Sequence, residues 1–265
     1  MAVTVTEILR ELERFAPPEM KLDFDNVGLL AGFPSAPVTR VLAALDITDD
    51  VIAEAQETGA ELIVSHHPLI FHALKRVTAD EPTGRKVIRL IEGHVSAICM
   101  HTNLDAAEGG VNDALMEALG AAVTGLLDAH GEDGRGRPYG IGRIGLLPQP
   151  MPLEAFLARV KGRLGCSGVR YVPGSKAVEK LACCGGSGGD MLERAHAAGC
   201  DTFVTADLKY DRLLAAKELG INLIDADHFC TENVVIPKLV SRLETAFPGL
   251  DVRISARHGQ TARFY

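Results

Sequence analysis

The chain has 265 residues, 47% of them hydrophobic, and a formal net charge of −8. That is enough apolar material for one large or two intertwined domains, and an acidic surface has no general pull on nucleic acid or on an anionic membrane. No apolar run approaches the ~20 residues that span a bilayer, and Glu7, Arg10, Glu11, Glu13 and Arg14 interrupt any signal-peptide core, so the expectation is a cytoplasmic protein without membrane contact.

Thr4-x-x-Glu7 forms a capping box and opens a helix with Ile8, Leu9, Leu12 and Phe15 on one face, stopped by Pro17-Pro18. Residues 23–32 read as a loop holding the compact signal Asp25-Asn26-Val27-Gly28. A strand is predicted over 41–45, then a helix from Asp49 or Asp50 to Gly59, then a second strand over 61–65. A helix over 83–92, a short buried strand over 95–100 and a helix over about 108–119 follow. Residues 125–140 are rich in Gly, Asp and Arg and read as a linker. Beyond it come a strand over 141–147, a helix over 152–164 with Pro152 in its first turn, and a further strand–helix–strand run. Interleaved β and α elements argue for an α/β fold with parallel or mixed sheets.

The second half echoes the first. Residues 41–67 align on 181–207 without a gap at an offset of 140, with Asp50 on Asp190, Ala55 on Ala195, Gly59 on Gly199 and Val64 on Val204. His101-x-x-x-Asp105 matches His228-x-x-x-Glu232 at an offset of 127, so the second copy is shorter. The organisation expected is a first α/β repeat over 1–124, a connecting segment over 125–180 and a second α/β repeat over 181–265.

Chemistry concentrates in three places. Leu62-Ile63-Val64-Ser65-His66-His67-Pro68 puts two histidines at the end of an apolar strand. Adjacent strand residues point to opposite faces, so both rings meet one site only if the backbone turns before Pro68. His101 with Asp105, and His228 with Glu232, share a face if helical; a cap is the competing role for Asp105. Pro237 sits too deep for a helix begun at Glu232, so that helix starts later or kinks. Imidazole and carboxylate together suit borderline divalent metals, and there are enough of them for two ions. Cys183 to Asp190, with Gly185, Gly186, Gly188 and Gly189, is a loop that would cradle a phosphate or simply let a helix pack closely. The six cysteines form no C-x-x-C and read as buried reduced thiols, with Cys230 set between His228 and Glu232. His72, His94, His130, His196 and His258 read as structural or solvated. Tyr171, Tyr210 and Phe247 fit core or interface roles, and Lys209-Tyr210-Asp211 reads as a solvated helix start.

Asp25-Asn26-Val27-Gly28, Ser65-His66-His67-Pro68, His101-Thr102-Asn103-x-Asp105, the Gly-Ser-Gly-Gly loop and His228-Phe229-x-Thr231-Glu232 together resemble the NIF-three-like family, whose members often carry the name GTP cyclohydrolase 1 type 2 homologue. The resemblance runs from about Ile8 to Phe264. It implies two intertwined pseudo-repeat α/β halves with mixed sheets, assembled as a ring-like homohexamer of dimers around a cavity. It implies two divalent ions (Zn, Mn, Fe, Co or Ni) held by His66, His67, Asp105, His228 and Glu232, with His101 beside them. The activity it implies is a metal-dependent hydrolase acting on a purine nucleotide such as GTP, with His101 or Glu232 moving protons. A metal-dependent phosphoesterase and a non-catalytic metal-binding scaffold are the alternatives. The chain departs from the family at Phe24, where Trp is common, at Asp227, where Gly is common, and in the tail His258-Gly259-Gln260-Thr261. It is the short form, without the inserted domain of longer members.

Overall fold

The computed structural model describes residues 3–263 and 265; Phe264, where the resemblance ends, lies outside them. Along the chain run β1 (Val3–Thr4), α1 (Val5–Phe15), β2 (Gly28–Ala31), β3 (Pro37–Val38), β4 (Arg40–Ala44), α2 (Asp49–Thr58), β5 (Leu62–Ser65), α3 (Pro82–Glu92), β6 (Ser96–Cys99), α4 (Thr102–Ala106) and α5 (Val111–Leu119). There follow β7 (Ala122–Glu132), β8 (Pro138–Met151), α6 (Leu153–Leu164), β9 (Arg170–Val172), β10 (Val178–Cys183), α7 (Leu192–Ala197), β11 (Thr202–Thr205), α8 (Tyr210–Leu219), β12 (Asn222–Asp225), α9 (His228–Glu232), α10 (Ile236–Ala246) and β13 (Asp251–Ile254). The chain divides into two compact units, Met1–Leu104 with Ile236–Gly259 and Asp105–Val235 with Gln260–Tyr265. It therefore leaves the first unit, builds the second and returns.

In the first unit a five-stranded sheet runs β13-β4-β5-β6-β2. The strands β4, β5 and β6 are parallel, and β2 closes the β6 edge antiparallel. All four residues of β5 and of β6 are buried, as expected of parallel strands covered on both faces. Local chemistry sets the helices. The Thr4 hydroxyl accepts from the Glu7 amide while the Glu7 carboxylate accepts from the Thr4 amide at 2.7 Å, and Ile8 and Leu12 are fully buried beneath. Thr48 caps α2, and Gly59 ends it in the left-handed region at φ 70°. The core joins Leu42, Val51, Ile52, Ile63, Leu90 and Ala97.

In the second unit a six-stranded sheet runs β7-β8-β10-β11-β12-β9. Its parallel strands β10-β11-β12 reproduce β4-β5-β6, with β9 antiparallel on the far edge as β2 is in the first. The register repeats too: Val41 pairs with Leu62 and Leu181 with Thr202, Leu42 with Ile63 and Ala182 with Phe203. The same offset of 140 carries these β4–β5 pairs onto their β10–β11 counterparts. The core here holds Leu115, Met116, Phe156, Val160, Leu181, Val204 and Ile224.

Several expectations need correction. Residues 125–140 are no linker: they lie in the long antiparallel hairpin of β7 and β8, turned by Asp133, whose carboxylate accepts from the Arg135 and Arg137 amides at 2.8 and 2.9 Å. Their glycines serve close approach, since a Cβ on Gly140 would lie 2.0 Å from the Asp128 carbonyl oxygen. Residues 28–31, expected as loop, form β2; an edge strand without apolar alternation leaves little trace in sequence. Pro152 is the cap before α6 rather than its first residue. Of the core or interface roles expected for Tyr171 and Tyr210, exposure of 47% and 74% excludes the core, and Tyr210 opens α8 as a solvated helix start. Pro237 falls in the first turn of α10, after a short 3-10 turn at Asn233–Val235, so the helix does start later.

Candidate functional site

The first unit gathers three imidazoles. His66 and His67 follow β5, and the ladder continues through their amides, which donate to the Ala44 and Leu45 carbonyls at 3.3 and 2.9 Å. The Ser65 hydroxyl then donates to the His67 carbonyl at 2.8 Å. This turn before Pro68 brings both rings to one side, with centroids 5.0 Å apart. The His101 ring, just beyond β6, lies 5.2 and 5.6 Å from them. One nitrogen from each of the three falls within 4.8 Å of the others.

Each ring is oriented from behind. His66 Nδ1 meets the Met100 carbonyl at 2.8 Å, His67 Nδ1 meets Asp46 at 2.8 Å and His101 Nδ1 meets Asp25 at 2.7 Å. Carbonyl and carboxylate oxygens only accept, so Nδ1 carries the proton and Nε2 is the basic nitrogen. This is the arrangement in which metal-binding histidines are held. Burial by itself would raise the Asp25 carboxyl, but the His101 ring and the Thr102 hydroxyl and amide hold it well below the usual range.

The second unit gathers an imidazole and two carboxylates. His228 and Glu232 begin and end α9, and the i, i+4 spacing sets His228 Nε2 3.0 Å from Glu232 Oε2. An Asp105 oxygen lies within 4.8 Å of a Glu232 oxygen. His228 Nδ1 meets Asp207 at 2.7 Å, the same orienting pattern again. Burial would lower the His228 imidazole, yet Glu232 and Asp207 push it up to about 9. Asp105 stands in the last turn of α4, and α5 is capped by no side chain, so Asp105 is not a helix cap.

The Gly-rich loop supports this cluster. The amides of Gly185, Gly186 and Gly188 donate to Asn112, Thr231 and Thr205 side chains at 2.9, 3.0 and 2.9 Å, so those amides serve packing and not a phosphate. Gly186 has φ +60°, and a Cβ there would lie 2.2 Å from Glu232 Oε1. All six cysteines are buried thiols. Burial pushes the Cys183 thiol up to about 12 and Cys200 to about 11. A hydrogen bond with Cys166, together with burial, keeps Cys230 protonated.

Asp46 and Asp207 were not singled out from sequence; each directly follows an apolar strand region that carries no ligand spacing. Asp227, the unexpected acid, caps α9 through the Cys230 amide at 3.1 Å and accepts from the Gln260 amide group. His258 accepts from the Leu45 amide at 3.2 Å. The unusual tail residues are thus structural within each unit.

The donor set fits a divalent transition ion. Nitrogen and oxygen ligands at ~2.1 Å from a shared ion lie ~3–4 Å apart, which these clusters approach. Fold and residues define a duplicated α/β protein carrying His and Glu groups that could hold metal. The chain belongs to the Duf34/NIF3 (NGG1p interacting factor 3) family, whose model matches residues 3–261. It is 36% identical to a GTP cyclohydrolase 1 type 2 homolog of Clostridium perfringens, over 91% of each chain. It is 32% identical to a GTP cyclohydrolase 1 type 2 of Helicobacter pylori, over 86% of each. A Bacillus cereus protein related to NIF3 superposes with a TM-score of 0.92 at 25% identity, covering 100% of this chain and 99% of that one. Among the described residues no helix is long and apolar enough to cross a membrane.

Proposed function

We propose that the protein is a dinuclear metal-dependent hydrolase in which His66, His67, Asp105, His228 and Glu232 hold two divalent ions. The observation that carries this reading is the orientation of His66, His67, His101 and His228, each with Nδ1 on an oxygen acceptor at 2.7–2.8 Å. Core or surface histidines have no need of so uniform an orientation. Bound ions would polarise the substrate and supply a nucleophilic water near neutral pH. The chain's own part is proton handling and orientation. His101, backed by Asp25, holds or passes a proton at Nε2, and Glu232 can do the same at a carboxylate oxygen. Substrate choice rests on the relatives' names, which point to a purine nucleotide such as GTP. A homo-oligomer, a homohexamer by family resemblance, and a cytoplasmic setting belong to the same reading; six reduced cysteines suit a reducing compartment.

The test is metal-reconstituted protein incubated with GTP, with and without chelator, following formate and phosphate release separately. Metal-dependent formate release supports the cyclohydrolase reading. Phosphate release alone would make the protein a phosphoesterase, and stoichiometric metal binding without turnover of either kind would make it a scaffold.

A further inference from the structure

Directly after His67 the chain enters a loop that, with the start of α3, encloses a cavity of about 720 Å³, a size typical of small-ligand sites. Phe71 lines it and also reaches back to the imidazoles, its ring 6.1 Å from that of His101. Phe24 stands edge-on to Phe71 at 6.1 Å. Both rings are exposed, at 64% for Phe24 and 39% for Phe71. Their loops are pinned together, since the Asn26 amide group donates to the Ile70 carbonyl at 2.7 Å. Gly84 lets the far side of the loop lie against α3: a Cβ there would sit 2.5 Å from the Thr78 carbonyl oxygen. Lys75, Arg76 and Lys86 also line the cavity, with one acid, Glu81, which pairs with Arg76 at 2.7 Å. Lys86 donates to the Ile47 carbonyl at 3.0 Å and keeps further N–H donors. On a chain of net charge −8 this is a local cationic pocket.

We propose that Phe24 and Phe71 with Lys75 and Lys86 form a substrate subsite that stacks a planar heteroaromatic ring beside the imidazoles and receives its anionic tail in the cavity. Two aromatic faces next to the candidate site suit a flat ring, and lysines in the cavity suit phosphate oxygens. This rests on the hydrolase reading and deepens it by naming the residues that would select the ring and the tail.

The test is binding, by calorimetry, of three probes to chelator-treated and to metal-reconstituted full-length protein: GTP, guanosine and inorganic triphosphate. Phe71→Leu keeps apolar bulk and removes the aromatic face. It should weaken GTP and guanosine roughly five- to a hundredfold and leave triphosphate unchanged. Lys75→Gln and Lys86→Gln should weaken GTP and triphosphate and leave guanosine unchanged. Light scattering on the same samples reports assembly. Wild-type binding of none of the probes, or Phe71→Leu binding GTP as wild type does, overturns the proposal. So does a change in oligomeric state with probe affinities intact, which would make the exposed rings a contact between copies. Because chelated protein is included, the ring-and-tail pattern can survive where turnover is absent, and metal-dependent turnover can survive where the pattern fails.

Discussion

At the scale of single residues, the notable groups are the oxygens behind the rings. Asp46, Asp25 and Asp207 each hold the Nδ1 side of His67, His101 and His228. Asp207→Asn should weaken divalent-ion binding about 10- to 100-fold with the melting temperature of the metal-free protein little changed; competition with a chromophoric chelator measures it. Gly186→Ala should be more damaging, because the left-handed backbone disfavours a Cβ and a methyl group 2.2 Å from Glu232 Oε1 would push that carboxylate aside. Loss of bound metal by mass spectrometric analysis, with the protein still folded by circular dichroism, is the expected outcome. Two adjacent histidines before a proline were legible in sequence as chemistry. Their orienting acids were not, because Asp46 and His67 are joined by strand pairing and not by spacing along the chain.

Among the elements, two buried charges tie neighbours together. In the second unit Arg143 of β8 is 3% exposed. It donates to the carbonyls of Gly140, Gly142 and Ala107 at 2.8–3.0 Å and pairs with Asp113 of α5 at 2.9 Å. Arg143→Ala should destabilise that unit by about 3–5 kcal/mol, since it strands a carboxylate and several carbonyls, as read by urea denaturation. In the first unit Glu54 of α2 accepts from the Ser255 hydroxyl and from the Ala256 and Arg257 amides, the last two at 2.9 and 3.0 Å. Burial would raise its pKa, but these three donors hold it below the ordinary carboxylate value. A depressed folded-state pKa stabilises fully above the unfolded value and is lost as pH falls through the folded one. Glu54→Gln should therefore cost about 1–3 kcal/mol at neutral pH and far less below that window, compared by denaturation at the two pH values. The helices with caps and the strand over 141–147 within β8 were readable from sequence; β7, the start of β8 and β2 were not, because glycine-rich strands carry no period-2 signal and depend on a partner for their identity.

For the whole molecule, the proposed metal binding is linked to folding stability. A divalent ion at 100 times its Kd should raise stability by about 2.7 kcal/mol, seen in calorimetry and reversed by chelator. His66→Ala and Glu232→Ala should each abolish that shift. Sequence by itself determined the α/β class, the capped helices, the repeat at an offset of 140 and the candidate ligands, because periodicity, caps and residue chemistry are local properties. Only the tertiary structure decided that His66 and His67 face one side, that Asp25, Asp46 and Asp207 orient imidazoles, and that residues 125–140 pair as strands. Each of those depends on a hydrogen bond between residues distant in the chain, or on a backbone turn that such bonds hold in place.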